Sequence, residues 1–377
     1  MVGLRETPDM NILSQPPDTE HSAAQSSAAQ ASPQAEVVGA WQQPAAATNV
    51  VTTPAADEAS PQLQPLHRVW PAQNTFSCRG VLMMGGESGC RVFPNVGWAW
   101  ANCFNWFCIL SLSSIYFIFV LPYFWSKFIF LPLISVTLFF FAVSFLCLAC
   151  FSDPGIIPRR EVILATQSDE MLTEILGYSP LGEGEPAHVR ATDAHQMVPP
   201  HLAKMGYRWC YTCEIVRPPR ASHCPDCDNC VLRFDHHCPF VNNCVGQRNY
   251  HFFMGFVTSV LCLAALVLPS IAWFFIEDLS SSSWSGVPVS STTRLVLICA
   301  ACLAGLVVLM LAGLWLYHLY LIAHGKTTRE HWKGQKQEQI SEEPSLSGPR
   351  GPQLFNQFAL VDITKVRRAH IQPEGDP

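Results

Sequence analysis

Long apolar runs alternate with polar stretches along the chain, and four of the runs have the length of membrane spans. They cover residues 103–123, 128–151, 252–276 and 295–323, and none contains Asp, Glu, Lys or Arg. About 20 apolar residues in a helix cross the ~30 Å hydrocarbon layer of a bilayer. Buried helices of soluble proteins rarely reach this length without a charge. The pattern therefore predicts an all-α integral membrane protein with two transmembrane hairpins, 103–151 and 252–323.

The polar stretches divide the rest of the chain. Residues 1–66 are rich in Ala, Gln, Ser and Pro, which predicts a disordered extension. A cleavable signal peptide is not expected, because no charged segment followed by an apolar run occurs there. Residues 67–102 form a pre-membrane segment, and residues 152–207 form a linker whose part 161–200 is expected to be acidic and partly ordered. After a cysteine-rich stretch, 208–251, and the second hairpin, residues 324–377 are expected to form a loosely ordered tail.

Positive charge predicts the orientation in the membrane. The segment between the second and third spans carries nine Lys and Arg residues, and the segment after residue 323 carries eight. The connection between the first and second spans carries only Lys127, and the connection between the third and fourth spans carries no Lys or Arg before Arg294. Because cytosolic loops hold the excess of Lys and Arg, we expect both termini and the cysteine-rich stretch to face the cytosol.

The stretch 210–244 has the composition of a zinc-binding module. It holds seven of the 16 cysteines and three histidines. Two Cys-x2-Cys pairs each offer two thiolates to one metal on a tight turn, and a reducing cytosol argues against disulfides. Two closed tetrahedral zinc sites use eight of these ten side chains, and the count alone does not say which two remain. The ten are Cys210, Cys213, His223, Cys224, Cys227, Cys230, His236, His237, Cys238 and Cys244.

Cys238 has the neighbours that a nucleophilic thiol needs. Asp235, His236 and His237 precede it directly. A histidine can take the proton of the thiol, and a carboxylate can orient the imidazole and stabilise its charge. The alternative is that these four residues only add zinc ligands to a structural finger.

Residues 224–253 resemble, without a gap, the DHHC family of protein S-acyltransferases. The resemblance implies one structural zinc ion on Cys210, Cys213, His223 and Cys230, and a second on Cys224, Cys227, His237 and Cys244. It leaves Cys238 as the nucleophile, His236 as the base and Asp235 as its partner. Phe240 departs from the family, which usually has Trp at this position.

Two further motifs resemble those of the family. Asp153, Pro154 and Gly155 follow the second span, where they can also form an ordinary turn. The sequence TTRE at 327–330 matches the TTxE motif, although threonine there can simply cap a helix. By resemblance, Thr328 is expected to form a hydrogen bond to Asp235. The aromatic and asparagine element of the family tail is unclear, with Phe355, Asn356 and Phe358 as its candidates.

The resemblance implies a protein S-palmitoyltransferase. It would take a fatty acyl group from acyl-CoA onto Cys238 and pass it to cysteine thiols of membrane-associated proteins. Residues 74–96 are similar to the branch of the family that acts on Ras proteins, which implies Ras-like GTPases as substrates and a small accessory subunit as partner. The implied location is the Golgi or the endoplasmic reticulum.

Three other classes of function are weaker. A non-catalytic zinc adaptor on a membrane stem would explain the ligands, but it would leave the Asp-His-x-Cys set unused. A transporter or channel would need an ionisable pathway, and the spans contain only His318, which we expect to form a hydrogen bond within the helix bundle. Nucleic-acid binding is disfavoured because the cysteine-rich stretch lacks a basic recognition helix.

Overall fold

The structure is a computed structural model that describes residues 62–86, 100–182, 197–280, 290–334, 353–363 and 366. The predicted extension up to residue 61 and most of the predicted tail lie outside the described residues. The helices are α1 (Trp100–Phe119), α2 (Leu121–Trp125), α3 (Phe130–Phe151), α4 (Arg160–Thr166), α5 (Asp169–Leu176), α6 (Pro200–Lys204), α7 (Tyr250–Ser280), α8 (Ser291–Ala323) and α9 (Thr328–Trp332).

Four of these helices, α1, α3, α7 and α8, are long and apolar enough to cross a membrane, so the four predicted spans are confirmed. Their ends differ from the hydropathy estimate, because the helices α7 and α8 continue beyond their most apolar windows. The first span instead ends at Phe119, since Pro122 at the start of the short α2 interrupts the helix. Large apolar side chains such as Phe130 and Leu309 remain exposed on the spans, where lipid would cover them.

The spans α3 and α7 pack closely against each other. A Cβ at Gly255 of α7 would lie 2.9 Å from the ring of Phe145 on α3, so only glycine permits this approach. Further along, Tyr116, Phe124 and Phe274 pack into a buried cluster at the other end of the bundle, between α1, α2 and α7. The bundle thus holds the zinc-binding module at one end and closes on aromatic side chains at the other.

The cysteine-rich stretch forms three antiparallel β hairpins. They pair β5 (Arg208–Cys210) with β6 (Ile215–Arg217), β7 (Ser222–Cys224) with β8 (Asn229–Val231), and β9 (His236–Cys238) with β10 (Asn243–Val245). A short strand after the second span, β4 (Ile156–Ile157), pairs with β8. Strands this short bury little surface, so the metal sites and the packing of neighbouring helices must hold the module together.

The linker 152–207 is more ordered than the sequence indicates. Its helices α4 and α5 bury Ile163, Leu172 and Leu176 in one core with Trp209 and Val216 of the first hairpin. Residues 183–196 of this linker lie outside the described part. Helix α5 is amphipathic: its charged residues face solvent and its leucines face the module. The acidic composition of the linker alone does not indicate this pattern.

Two segments that were predicted to lie outside the fold belong to it, which corrects the boundaries of the extension and the tail. Strand β1 (Leu63–Pro65) pairs with β11 (Leu360–Asp362), β2 (Thr75–Ser77) pairs with β3 (Leu82–Met84), and Leu66 is fully buried. In the tail, the ring of Phe355 packs 4.8 Å from that of Trp70. Composition does not indicate these segments, because each is short. Each is ordered by pairing with the other, and the two are separated by most of the chain length.

Candidate active site

Two groups of cysteine and histidine side chains converge in the geometry of zinc sites. They are Cys210, Cys213, His223 and Cys230, and Cys224, Cys227, His237 and Cys244, the two sets that the resemblance implies. Within each group the ligand atoms lie within 4.8 Å of one another. A tetrahedral zinc ion, with bonds of about 2.3 Å to sulfur and about 2.0 Å to nitrogen, separates its ligand atoms by about 3.5–3.8 Å.

The distances in the second group agree with such an ion. His237 Nδ1 lies 3.4 Å from Cys227 Sγ and 3.7 Å from the Sγ atoms of Cys224 and Cys244. In the first group, Cys213 Sγ lies 3.4 Å from His223 Nδ1. Both groups therefore fit zinc ions with four protein ligands each. A site closed in this way leaves no position for a reacting water molecule, so the zinc ions are structural.

The three hairpins repeat one turn, and this repeat explains why Cys238 lies outside both groups. Each turn begins at a cysteine and ends in a residue of left-handed conformation, namely Glu214, Asp228 or Asn242, with φ of 51°, 53° and 48°. In the first two turns a second cysteine precedes that residue. In the third turn Val241 takes its place. Cys238 thus occupies the first position of a zinc knuckle that has lost its second thiolate.

The knuckle geometry still surrounds the Cys238 sulfur with hydrogen-bond donors. The backbone N–H groups of Phe240 and Val241 donate to it, and so does the His236 side chain. Burial raises the pKa of the Cys238 thiol, but these donors and the charge of His236 outweigh it, so that the pKa is lowered from the ordinary thiol value. The thiolate form, which is the nucleophile, is therefore favoured.

His236 lies between Cys238 and a buried carboxylate. Its Nδ1 is 2.6 Å from Oδ2 of Asp235, which is 2 % exposed. Burial lowers the pKa of His236, yet the hydrogen bonds and charges of Asp235 and Cys238 raise it to about 10. Burial also raises the pKa of Asp235, but His236 and Thr328 lower it overall. The imidazole is therefore suited to hold the thiol proton as part of an ion pair.

The TTxE segment holds Asp235 in place from the far side. Thr328 donates twice to this carboxylate, from its backbone N–H at 2.9 Å and from Oγ1 at 2.7 Å. Thr327 and Glu330 form a capping box at the start of α9. Glu330 also accepts from Arg220 of the zinc module, with Nε to Oε1 at 2.7 Å. The segment after the fourth span is thus tied to the module at Asp235 and at Arg220.

The Asp153 turn ties the second span to the same module. Its Oδ1 accepts from the backbone N–H groups of Gly155 and Ile156 at 2.8 and 2.9 Å. Gly155 has a φ of 108°, a backbone conformation that residues with a side chain rarely adopt. Arg248 Nε lies 3.1 Å from Asp153 Oδ2. At the same place the Asn243 amide donates to the carbonyl of Ser152 at 2.8 Å and so satisfies the end of α3.

Several residues of the site escaped sequence reasoning. Asn102 and Asn105 of α1 both donate to the carbonyl of Phe240, at 2.8 and 3.2 Å, and so hold the Cys238 turn. His318 does form a hydrogen bond within the bundle, since its Nδ1 lies 3.0 Å from the hydroxyl of Tyr250, and its ring centroid is 6.0 Å from that of His236. Polar residues within the apolar spans were the available signal for the two asparagines.

An apolar cavity extends from the site into the bundle. On α1 its lining runs from Asn105 to Phe117, over about 18 Å of helix. Ile109 and Phe256 line it and also pack in the cluster that contains Cys238. At the other end Tyr116 lines it, and the Tyr116 hydroxyl accepts a hydrogen bond from Ser270 at 3.2 Å.

Comparison with known proteins agrees with this geometry. Residues 203–335 match the family described as DHHC palmitoyltransferase. Palmitoyltransferase ZDHHC18 of Homo sapiens is 34% identical over 325 residues, which are 81% of this chain and 77% of that protein. Palmitoyltransferase ZDHHC9 of Bos taurus is 34% identical over 267 residues, which are 70% of this chain and 68% of that protein.

Proposed function

The chain belongs to the DHHC palmitoyltransferase family, and from this premise we propose that Cys238 carries the acyl group between donor and acceptor. As a protein S-palmitoyltransferase, the chain uses acyl-CoA as donor and cysteine thiols of proteins as acceptors. Its relatives are named as palmitoyltransferases, which favours this function over a non-catalytic zinc adaptor. The single observation that carries the role of Cys238 is its position outside both ligand groups, in contact with His236.

The reaction consists of two thioester exchanges. The Cys238 thiolate attacks the carbonyl carbon of the acyl-CoA thioester, and the departing CoA thiolate takes the proton held by His236. The acceptor cysteine then gives its proton to His236 and attacks the acyl group on Cys238, which restores the thiolate. Asp235 keeps the imidazole in position through both steps, and Thr328 keeps Asp235 in position. One thioester replaces another, so the residues supply positioning and thiolate activation.

The apolar cavity suits the fatty chain of the donor. Its lining is almost wholly apolar and shares Ile109 and Phe256 with the cluster that contains Cys238, so a chain within it would carry its thioester toward the sulfur. Tyr116, which Ser270 holds by a hydrogen bond, lines its far end and would limit the length of the chain. Burial of a long chain in such a cavity contributes about 0.8 kcal/mol for each CH₂ group removed from water.

A basic groove beside the TTxE segment suits the phosphates of CoA. Arg208, Arg217, Arg329 and Lys333 line it. Arg208 and Arg217 stand opposite each other on β5 and β6, and Arg329 and Lys333 are four residues apart. Like charges in these positions repel each other, and none of the four has a carboxylate partner among the described residues. An anionic ligand would relieve this repulsion.

Neutralising two of these cations should weaken acyl-CoA binding. We expect Arg329→Gln with Lys333→Gln to raise the KM for palmitoyl-CoA at least about tenfold, because two charge-assisted contacts to phosphate are lost. The effect should shrink as ionic strength rises, because salt screens exposed charges. Steady-state acylation measured at low and high salt tests this, with the exposed Arg79→Gln as control. An unchanged KM at low salt would assign the phosphates elsewhere.

Orientation, membrane and substrates form the finer part of the proposal. The zinc module would face the cytosol of a Golgi or endoplasmic reticulum membrane, which the excess of Lys and Arg on that side supports. Ras-like GTPases as acceptors, with a small accessory subunit, rest on the likeness of residues 74–96 to one branch of the family. Of that segment, residues 87–96 lie outside the described part.

The direct test of this function is acylation of the purified protein. Incubation of the full-length protein with a labelled palmitoyl-CoA analogue should attach a label that hydroxylamine removes, since thioesters react with it. Mass spectrometry should locate the label on the peptide that contains Cys238. Labelling of another cysteine in place of Cys238, or no labelling of zinc-loaded protein, would refute the proposed role of Cys238.

A further inference from the structure

A second cavity lies where two of the spans meet the zinc module. Helix α7 begins at Tyr250 and helix α8 ends at Ala323, and the cavity lies between these two ends. It shares no lining residue with the apolar cavity and one, Thr327, with the basic groove. Arg233 and Lys326 line it, together with the apolar side chain of Ile322. No step of the proposed reaction uses this cavity.

The charges of this cavity point to an anion. Arg233 is exposed and Lys326 is half-buried, and neither has a carboxylate partner among the described residues. The acidic side chain in the lining is Asp235, whose two oxygens are occupied by Thr328 and His236. Two cations therefore line the cavity, and its carboxylate, Asp235, is engaged by Thr328 and His236. His251 and Gln247 add polar groups to the wall.

The depth of the cavity indicates where the anion comes from. Its wall is built from the first turn of α7 and the last residues of α8, which is the level at which both spans leave the hydrocarbon layer. Ile322, 52 % exposed, stands next to the cations, so a ligand here meets an apolar surface and positive charge together. We propose that this cavity binds the phosphate headgroup of an anionic phospholipid from the leaflet on the side of the zinc module.

A lipid at this position would brace the catalytic residues. Arg233 stands two residues before Asp235, and Lys326 stands two residues before Thr328. Asp235 and Thr328 join these two segments by a hydrogen bond. One phosphate bound by both cations would therefore link the same two segments a second time. Anionic lipid should consequently accelerate acyl transfer. This last step rests on the function proposed above, whereas lipid binding itself does not.

Native mass spectrometry of the full-length protein in detergent, titrated with phosphatidylserine or phosphatidylcholine, tests the site. We expect phosphatidylserine to bind the parent more tightly than phosphatidylcholine. The double variant Arg233→Gln with Lys326→Gln should lose about 25-fold in affinity for phosphatidylserine, at about fivefold for each cation, and none for phosphatidylcholine. Arg233→Lys and Arg79→Gln should bind like the parent. A content of two zinc ions verifies that each variant is folded.

Three binding results would overturn the proposal. The first is a folded double variant that binds phosphatidylserine as the parent does. The second is displacement of phosphatidylserine by millimolar inorganic phosphate, which would make the cavity a site for free phosphate. The third is displacement of phosphatidylserine by CoA that persists in Arg329→Gln with Lys333→Gln, which would make the cavity part of the donor site.

Acylation of Cys238 in vesicles tests the consequence for catalysis. Vesicles of phosphatidylcholine with and without phosphatidylserine are compared for the parent and for the double variant. We expect phosphatidylserine to accelerate the parent and not the variant. Selective binding of phosphatidylserine with the same acylation rate of the parent in both kinds of vesicle would refute the bracing of Asp235. The lipid site itself would not be refuted by that result. If the parent is inactive in every vesicle, the proposed function fails and the binding result remains.

Discussion

Replacing Cys238 by serine should abolish acyl transfer while both zinc ions stay bound. A serine hydroxyl is a far weaker nucleophile at neutral pH than a thiolate, and His236 is placed to form an ion pair with sulfur. We expect acyl transfer from palmitoyl-CoA to fall by at least about a thousandfold, because loss of the nucleophile removes the covalent route. Serine has nearly the shape of cysteine, so the cluster around Cys238, which is 7 % exposed, should remain packed.

The measurement that decides this prediction is the zinc content beside the activity. Elemental analysis should find two zinc ions per chain in Cys238→Ser, as in the parent. The exposed Cys262→Ser in the third span serves as the matched control and should keep both zinc and activity. Loss of a full zinc equivalent in Cys238→Ser would identify Cys238 as a ligand. Persistent transfer by zinc-loaded Cys238→Ser would assign the nucleophile to another group.

Replacing Cys244 by serine should have the opposite signature, because it removes a zinc ligand. Cys244 is fully buried, with its Sγ 3.4 Å from that of Cys227. Zinc sites of this kind bind with about 10–16 kcal/mol and supply the folding energy of small modules. We expect the variant to retain at most one zinc ion, to lose several kcal/mol of stability, and to lose acyl transfer although no reacting group has changed.

The two zinc groups are interleaved, so the damage should spread. His223 and Cys224 are adjacent in sequence but belong to different groups, and His237 stands between His236 and Cys238. Elemental analysis and thermal unfolding measure the effect, with the exposed Cys299→Ser of α8 as the control. A Cys244→Ser protein that keeps two zinc ions and the parent melting temperature would show that Cys244 is not a ligand.

Much of the architecture follows from local properties of the chain. The four spans are visible in hydropathy because a lipid-embedded helix satisfies its backbone by itself and needs only apolar side chains. The number of zinc ions follows from counting ligands. The count does not distinguish Cys238 from the other six cysteines of the stretch. The turn repeat that does so, with Val241 in the place of a cysteine, is defined by the left-handed residue that ends each of the three hairpin turns.

Other parts of the site depend on partners that are distant in sequence. Arg220 and Glu330 are 110 residues apart, and Asn102 lies 138 residues before the Phe240 carbonyl that it holds. No local pattern distinguishes these side chains from ordinary surface or helix residues. The pairing of β1 with β11 was missed for the same reason, since both strands are three residues long and polar in their surroundings.

Hydropathy and ligand number are sums over neighbouring residues, so the membrane class, the four spans and the composition of the zinc module follow from the chain alone. Folding, by contrast, places an apolar cavity against the Cys238 cluster and brings a segment 93 residues away onto Asp235. It also brings Arg233 and Lys326 to one cavity. These features depend on which surfaces meet after folding, and that is set by the packing of the helices and by metal coordination.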